Sequence, residues 1–191
     1  MVRRRRSPPA GVGPLSPRKK WRAITVATLV LVPSYWSVLA GLVSLASDSA
    51  DAPPAGPFIA FGFALIPFVF IVLAFLSEHP RAPGAAVKAM GLALIVGIPV
   101  SAIAADAVTG LVAAAGAGGI AALRADRTEG WKARAIAVLA VSVYVFLMIR
   151  VAGDVTLLLA PTLPFTCLGV ADHLVERRSE KAEERQAAES R

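Results

Sequence analysis

Residues 87–123 read VKAMGLALIVGIPVSAIAADAVTGLVAAAGAGGIAAL, and how this stretch is divided decides the fold. Beyond Lys88 at its start, the only ionisable residue is Asp106. As one helix at 1.5 Å per residue it would be ~55 Å long, nearly twice the ~30 Å hydrocarbon layer of a bilayer. Two spans, at about 87–105 and 107–123 with Asp106 at the turn between them, fit that thickness.

The same reasoning extends in both directions. Residues 58–77 carry no ionisable side chain and predict a span over about 57–77. Residues 23–46 predict another; Ser44-Leu45-Ala46 resembles a signal-peptide cleavage site, but the apolar segment is too long for a signal core and reads as a retained anchor. Residues 135–171 are again too long for one crossing. They break at Arg150, Gly153 and Asp154, where glycine suits a tight turn and Asp154 can cap the next helix. Spans five and six are therefore expected at about 135–151 and 155–171.

Composition agrees. Of 191 residues, 56% are hydrophobic and only 17% charged, and the charge is banked at the ends and in short loops, where a soluble domain would spread it over its surface. Residues 1–22 combine two basic clusters with four prolines and no apolar periodicity, which predicts a disordered basic arm. Prolines stand where a twin-arginine export signal would be apolar. The net charge of +7 fits anionic lipid headgroups better than nucleic acid, because eight of the twenty Lys and Arg precede the first span. Residues 172–191 read as a charged cytoplasmic tail.

Charge also tests the span count. Short cytoplasmic loops retain Lys and Arg. With six spans and both termini cytoplasmic, nineteen of twenty basic residues lie inside and only Arg150 outside; fusing spans three and four leaves eleven inside and nine outside. The expected fold is thus an all-α, polytopic bundle of six transmembrane helices.

The stretches Gly97 to Asp106, the glycine-rich run through Arg124, and Pro164 to His173 resemble uncharacterised small multi-pass membrane proteins of high-GC actinobacteria. The resemblance spans roughly residues 60–178. It implies an inner-membrane location and brings no activity, ligand or catalytic residue.

Span four holds Gly110, Gly116, Gly118 and Gly119. Gly116-x-Gly118-x-x-Ala121 formally matches a dinucleotide fingerprint, but the strand and βαβ context that motif needs are missing. Small residues on several faces instead let helices approach closely, which places span four at the bundle centre. Pro33, Pro67, Pro161 and Pro164 fall near mid-span, and each frees a backbone carbonyl that lipid cannot satisfy. Near them Ser34, Tyr35, Ser37, Thr162, Thr166 and Cys167 form a candidate midplane pocket, as in transporters with broken helices. The alternative is that these hydroxyls bond back to their own backbone.

Asp106, Arg150 and Asp154 form a candidate outer-face charge cluster, or else cap turns and snorkel. Glu78-His79 and Asp172-His173 offer metal-ligand types without metal-site spacing, and the helix dipole alone favours His at C-termini. With one cysteine, Cys167, an internal disulfide and a CxxC site are excluded. No nucleophile elbow, HExxH or P-loop occurs, so neither enzyme activity nor a cofactor is expected. Two functions stay open: an accessory or structural membrane component acting through helix packing and cytoplasmic tails, with a homo-oligomer or membrane-protein partner, and a small transporter or channel subunit with a midplane pocket.

Overall fold

The computed structural model describes residues 16–47, 53–123 and 131–189, with all their side chains except those at 154, 155, 179 and 183. Every regular element within them is helical: α1 Pro17–Ala46, α2 Ala55–Leu76, α3 Ala82–Ala104, α4 Ala107–Ala122, α5 Trp131–Ala152, α6 Asp154–Leu159, a 3₁₀ turn Ala160–Thr162, and α7 Leu163–Glu189. The division of residues 87–123 falls at Asp106, as the length argument requires. Ala105 takes a left-handed conformation (φ 50°), and Asp106 caps α4 by accepting from the N–H groups of Val108 and Thr109 at 3.1 and 2.9 Å.

Other boundaries differ from expectation for local reasons. α1 begins at Pro17 rather than near residue 23, because Ser16 caps it by accepting from Lys19 N–H (3.4 Å) and proline suits the first helical position. Residues 18–22 of the expected arm are therefore helical, and residues 1–15 lie outside the described residues. Gly153 does form the turn after α5 (φ 49°), but it also holds the N-cap position, with no side-chain cap bond, and α6 starts at Asp154 itself. The expected tail from residue 172 is a direct continuation of α7, whose 27 residues give ~40 Å of unbroken helix.

Glycines set how closely these helices approach. In the α1–α2 hairpin, a Cβ on Gly41 would lie 2.4 Å from Ile59 Cγ1, and one on Gly62 would lie 2.5 Å from Val38 Cγ2. The α3–α4 hairpin repeats this arrangement, with Gly97 against Ala114 (2.6 Å) and Gly110 against Ser101 (2.4 Å). In each hairpin both helices contribute a position where no side chain fits, which brings the backbones together.

α4 is the hub. Eleven of its sixteen residues are buried, far more than one amphipathic face would supply. A Cβ on Gly116 would meet Val138 of α5 (2.9 Å), one on Gly118 the Phe70 ring of α2 (2.3 Å), and one on Gly119 the Leu168 side chain of α7 (2.6 Å). Three glycines on three faces thus let three helices close on it. The principal core joins Phe70, Leu73, Ala89, Phe165 and Leu168 around this helix.

Among the described residues five helical segments are long and apolar enough to cross a bilayer: α1, α2, α3, α5 and the run from Thr156 into α7. Large apolar side chains on them face outward, among them Ile95, Ile103, Leu139 and Val151. In water these surfaces would be a severe liability, whereas in lipid they are the solvated face. The chain is a multi-pass, all-α membrane protein.

Candidate functional site

Two features stand out, at opposite ends of the bundle. The first is ionic. Lys20 in the first turns of α1 donates to Asp172 Oδ2 at 3.0 Å and to Glu176 Oε2 at 2.6 Å, both on α7. Arg134 at the start of α5 donates through one terminal nitrogen to the other oxygen of Asp172. Asp172 and Glu176 are one turn apart, so one face of α7 presents both carboxylates. Lys20 is 1% exposed, Arg134 3% and Asp172 7%, so the cluster clamps three helices inside protein rather than on the surface.

A clamp of this kind holds geometry more than it adds stability, since desolvating its charges offsets much of their attraction. Breaking it is another matter: one buried charge left alone costs ~3–5 kcal/mol. Asp172 is the first residue past the apolar run. Burial alone would raise its pKa, but Arg134 and Lys20 outweigh burial and hold the carboxyl below its ordinary range. Arg134 keeps two further nitrogens, Nε and Nη1, buried with no hydrogen-bond partner among the described residues. The nearby Lys19–Glu78 pair (2.6 Å) is half exposed and contributes little.

The second feature is a cavity of about 440 Å³ in the half of the bundle away from the clamp, walled by α1, α2, α3, α4 and the 3₁₀–α7 junction. Pro67, Pro161 and Pro164 line it, as do Ser34, Tyr35 and Ser101, and among the described residues none of its lining side chains is an acid, a histidine, a lysine or an arginine. Ser34 Oγ donates to Gly62 O at 2.7 Å and Ser101 Oγ to Asp106 O at 3.3 Å, so both hydroxyls are committed to backbone. The Tyr35 hydroxyl is buried without a partner among the described residues, a situation that ordinarily costs ~1–3 kcal/mol.

The structure brings together only part of the pocket expected from sequence. Ser34 and Tyr35 are on its wall. Ser37, Thr162, Thr166 and Cys167 are not, and helical phase explains why. On α1 the cavity face carries Leu31, Ser34 and Val38, spaced three and four apart, and Ser37 lies off that row. At the 3₁₀–α7 junction Pro161 and Pro164 face inward, while the neighbouring hydroxyls bond backward: Thr162 to Leu159 O and Thr166 to Thr162 O, each at 2.7 Å. Cys167 is half-buried against the second core cluster, around Val112 and Val145.

The expected outer-face charges do not draw on one another among the described side chains. Asp106 is committed to its cap, and the exposed Arg150 stacks over the Phe146 ring at 5.1 Å. The Asp154 side chain lies outside those described. His79 Nδ1 accepts from Arg81 N–H at 3.1 Å, a local turn bond. His173 lies next to the clamp in sequence, half-buried on α7.

Sequence reasoning missed the clamp altogether. Its members come from three helices, and the one available signal was the spacing of Asp172 and Glu176 on a single helical face. Comparison with family models, with curated proteins and with solved structures gives no match, so the actinobacterial resemblance rests on the quoted residues alone.

Proposed function

We propose that this protein is a six-span accessory component of the bacterial inner membrane, with both termini cytoplasmic, that acts by presenting its tail to a partner rather than by catalysis. One observation carries the reading: α7 runs without a break from the apolar bundle to Glu189, and the clamp fixes it at Asp172 and Glu176. Past the clamp its described side chains are exposed, including Arg177, Arg178, Lys181 and Arg185. A partner bound there would be mechanically coupled to the membrane domain. The basic character of the residues next to the first span gives the same end affinity for anionic headgroups. α4, at sixteen residues, is short for a crossing (~24 Å), yet its burial among neighbours relieves it of matching the lipid directly.

The test is purification in a mild detergent with and without the residues after Arg178. A protein that co-purifies with the full chain and is lost on truncation, while thermal stability stays unchanged, supports the reading. A full chain that purifies alone after in-membrane crosslinking through position 185 sinks it.

A small transporter or channel subunit is the second reading, favoured by the proline-lined cavity. The uncharged, largely apolar wall suits an apolar passenger and offers no path for an ion. Transfer of an uncharged, apolar solute into proteoliposomes holding the purified chain, and not into empty ones, would put that reading ahead.

A further inference from the structure

We propose that the cavity is a lipid-binding site, holding one uncharged chain drawn laterally from the leaflet on the side away from the ionic clamp. The first observation is where it opens. Of its lining residues, the exposed ones are Phe63 on α2 and Leu94 and Ile98 on α3, at 51%, 56% and 65%. The walls on α1, α4 and α7 are buried or half-buried. The mouth therefore lies between α2 and α3. Toward the clamp these two helices are closed by the Phe70, Ala89 and Gly118 contacts, and the gap is confined to the other half of the bundle.

The second is what such a site can hold. A mouth rimmed by Phe, Leu and Ile on a membrane-facing surface adjoins hydrocarbon, so the molecules that meet it are lipids. An apolar cavity stays dry and takes an apolar guest, and about 440 Å³ falls in the ~300–1,000 Å³ range of ligand pockets. Among the described residues no side chain charged at neutral pH lines it, so the enclosed portion of the guest is uncharged. The third is Tyr35, 3% exposed, on the wall, with its hydroxyl unpartnered. A buried donor of this kind suits a chain carrying a neutral oxygen acceptor, such as an ester carbonyl. The proposal is independent of whether the tail of α7 recruits a partner.

The experiment uses the full chain in liposomes containing phosphatidylcholine with a photoactivatable diazirine on one acyl chain, with adducts mapped after illumination. Adducts are expected on the wall residues Val38, Val112 and Ala115, in addition to the outward-facing Ile95 and Ile103. Ile98→Trp, at the exposed mouth where it does not disturb the core, should remove the wall adducts and spare those on Ile95 and Ile103. Ala115→Phe, which fills the cavity, should do the same. Wild-type adducts confined to outward-facing residues would overturn the proposal. So would reaction of a Ser34→Cys variant with a water-soluble maleimide in intact vesicles, which would make the cavity aqueous, or a photo-crosslink to a second copy of the chain at Phe63 or Ile98.

Discussion

Lys20 and Asp172, 152 residues apart in the chain, meet at 3.0 Å in the protein interior. That contact fastens the first membrane helix to the last at the basic end of the bundle, with Arg134 drawing α5 into the same carboxylate. It follows that Lys20→Met should lower the stability of the detergent-solubilised protein by up to roughly 3–5 kcal/mol, because Asp172 and Glu176 both lose the buried ammonium they share. Lys20→Met combined with Asp172→Leu should lose more still, because Arg134 is then buried without its carboxylate. Lys19→Met, at the half-exposed Lys19–Glu78 pair, should cost about 0–1 kcal/mol. Thermal unfolding of the three variants tests this; equal effects from Lys19 and Lys20 would mean that the clamp is solvated.

The clamp also sets a pH dependence. The folded pKa of Asp172 is held below its unfolded value, so its contribution is present above the ordinary carboxylate range, about pH 4, and is lost as pH falls through the folded pKa. Unfolding midpoints should be steady from neutral pH down to about pH 5 and fall below about pH 4. Asp172→Asn should flatten that acid limb while lowering stability at neutral pH.

Helix approach gives a contrast between glycines. Gly118→Ala puts a Cβ 2.3 Å from Phe70 and 2.9 Å from the Ala89 carbonyl, and Gly119→Ala puts one 2.6 Å from Leu168. Each should destabilise by about 1–3 kcal/mol, as overpacked cores do. Gly91, on α3, has nothing within 4 Å of its added Cβ, so Gly91→Ala should be neutral or stabilising by up to about 1 kcal/mol. Indistinguishable melting of all three variants would mean that α4 is not enclosed.

Topology is checked with reporter fusions. Sites after Glu78, Arg127 and Arg178 should read cytoplasmic, and sites at Asp51, Asp106 and Gly153 periplasmic. A cytoplasmic signal at Asp106 would join α3 to α4 on the wrong side and end the six-span assignment.

Cys167 offers a last check. Half-buried among apolar side chains, it should resist a water-soluble maleimide in intact membranes and react once the protein is denatured. Because it is off the cavity wall, its silence reports on helix packing alone, and Ser34→Cys is the position that reports on the cavity.

The sequence by itself determined the helices, for a one-dimensional reason: a chain in hydrocarbon must satisfy its own backbone, so uncharged runs become helices whose length the bilayer bounds. That logic places the break at Asp106, while the turn at Gly153 and the central position of the glycine-rich helix follow from glycine's backbone freedom and its lack of a side chain. What it could not determine is rotation and pairing. An all-apolar helix shows no amphipathic stripe to say which face turns inward, so Ser34 and Ser37, or Pro164 and Thr166, look equally fit to line a pocket. Packing around Gly41 and Gly62 for α1, and around Gly119 and Gly169 for α7, decides which of them does, because only a close fit between specific surfaces distinguishes one rotation from another in lipid. The clamp is the clearest case. Lys20, Arg134, Asp172 and Glu176 read as four ordinary interfacial charges until the tertiary structure buries them together, where low polarity makes their pairing obligatory.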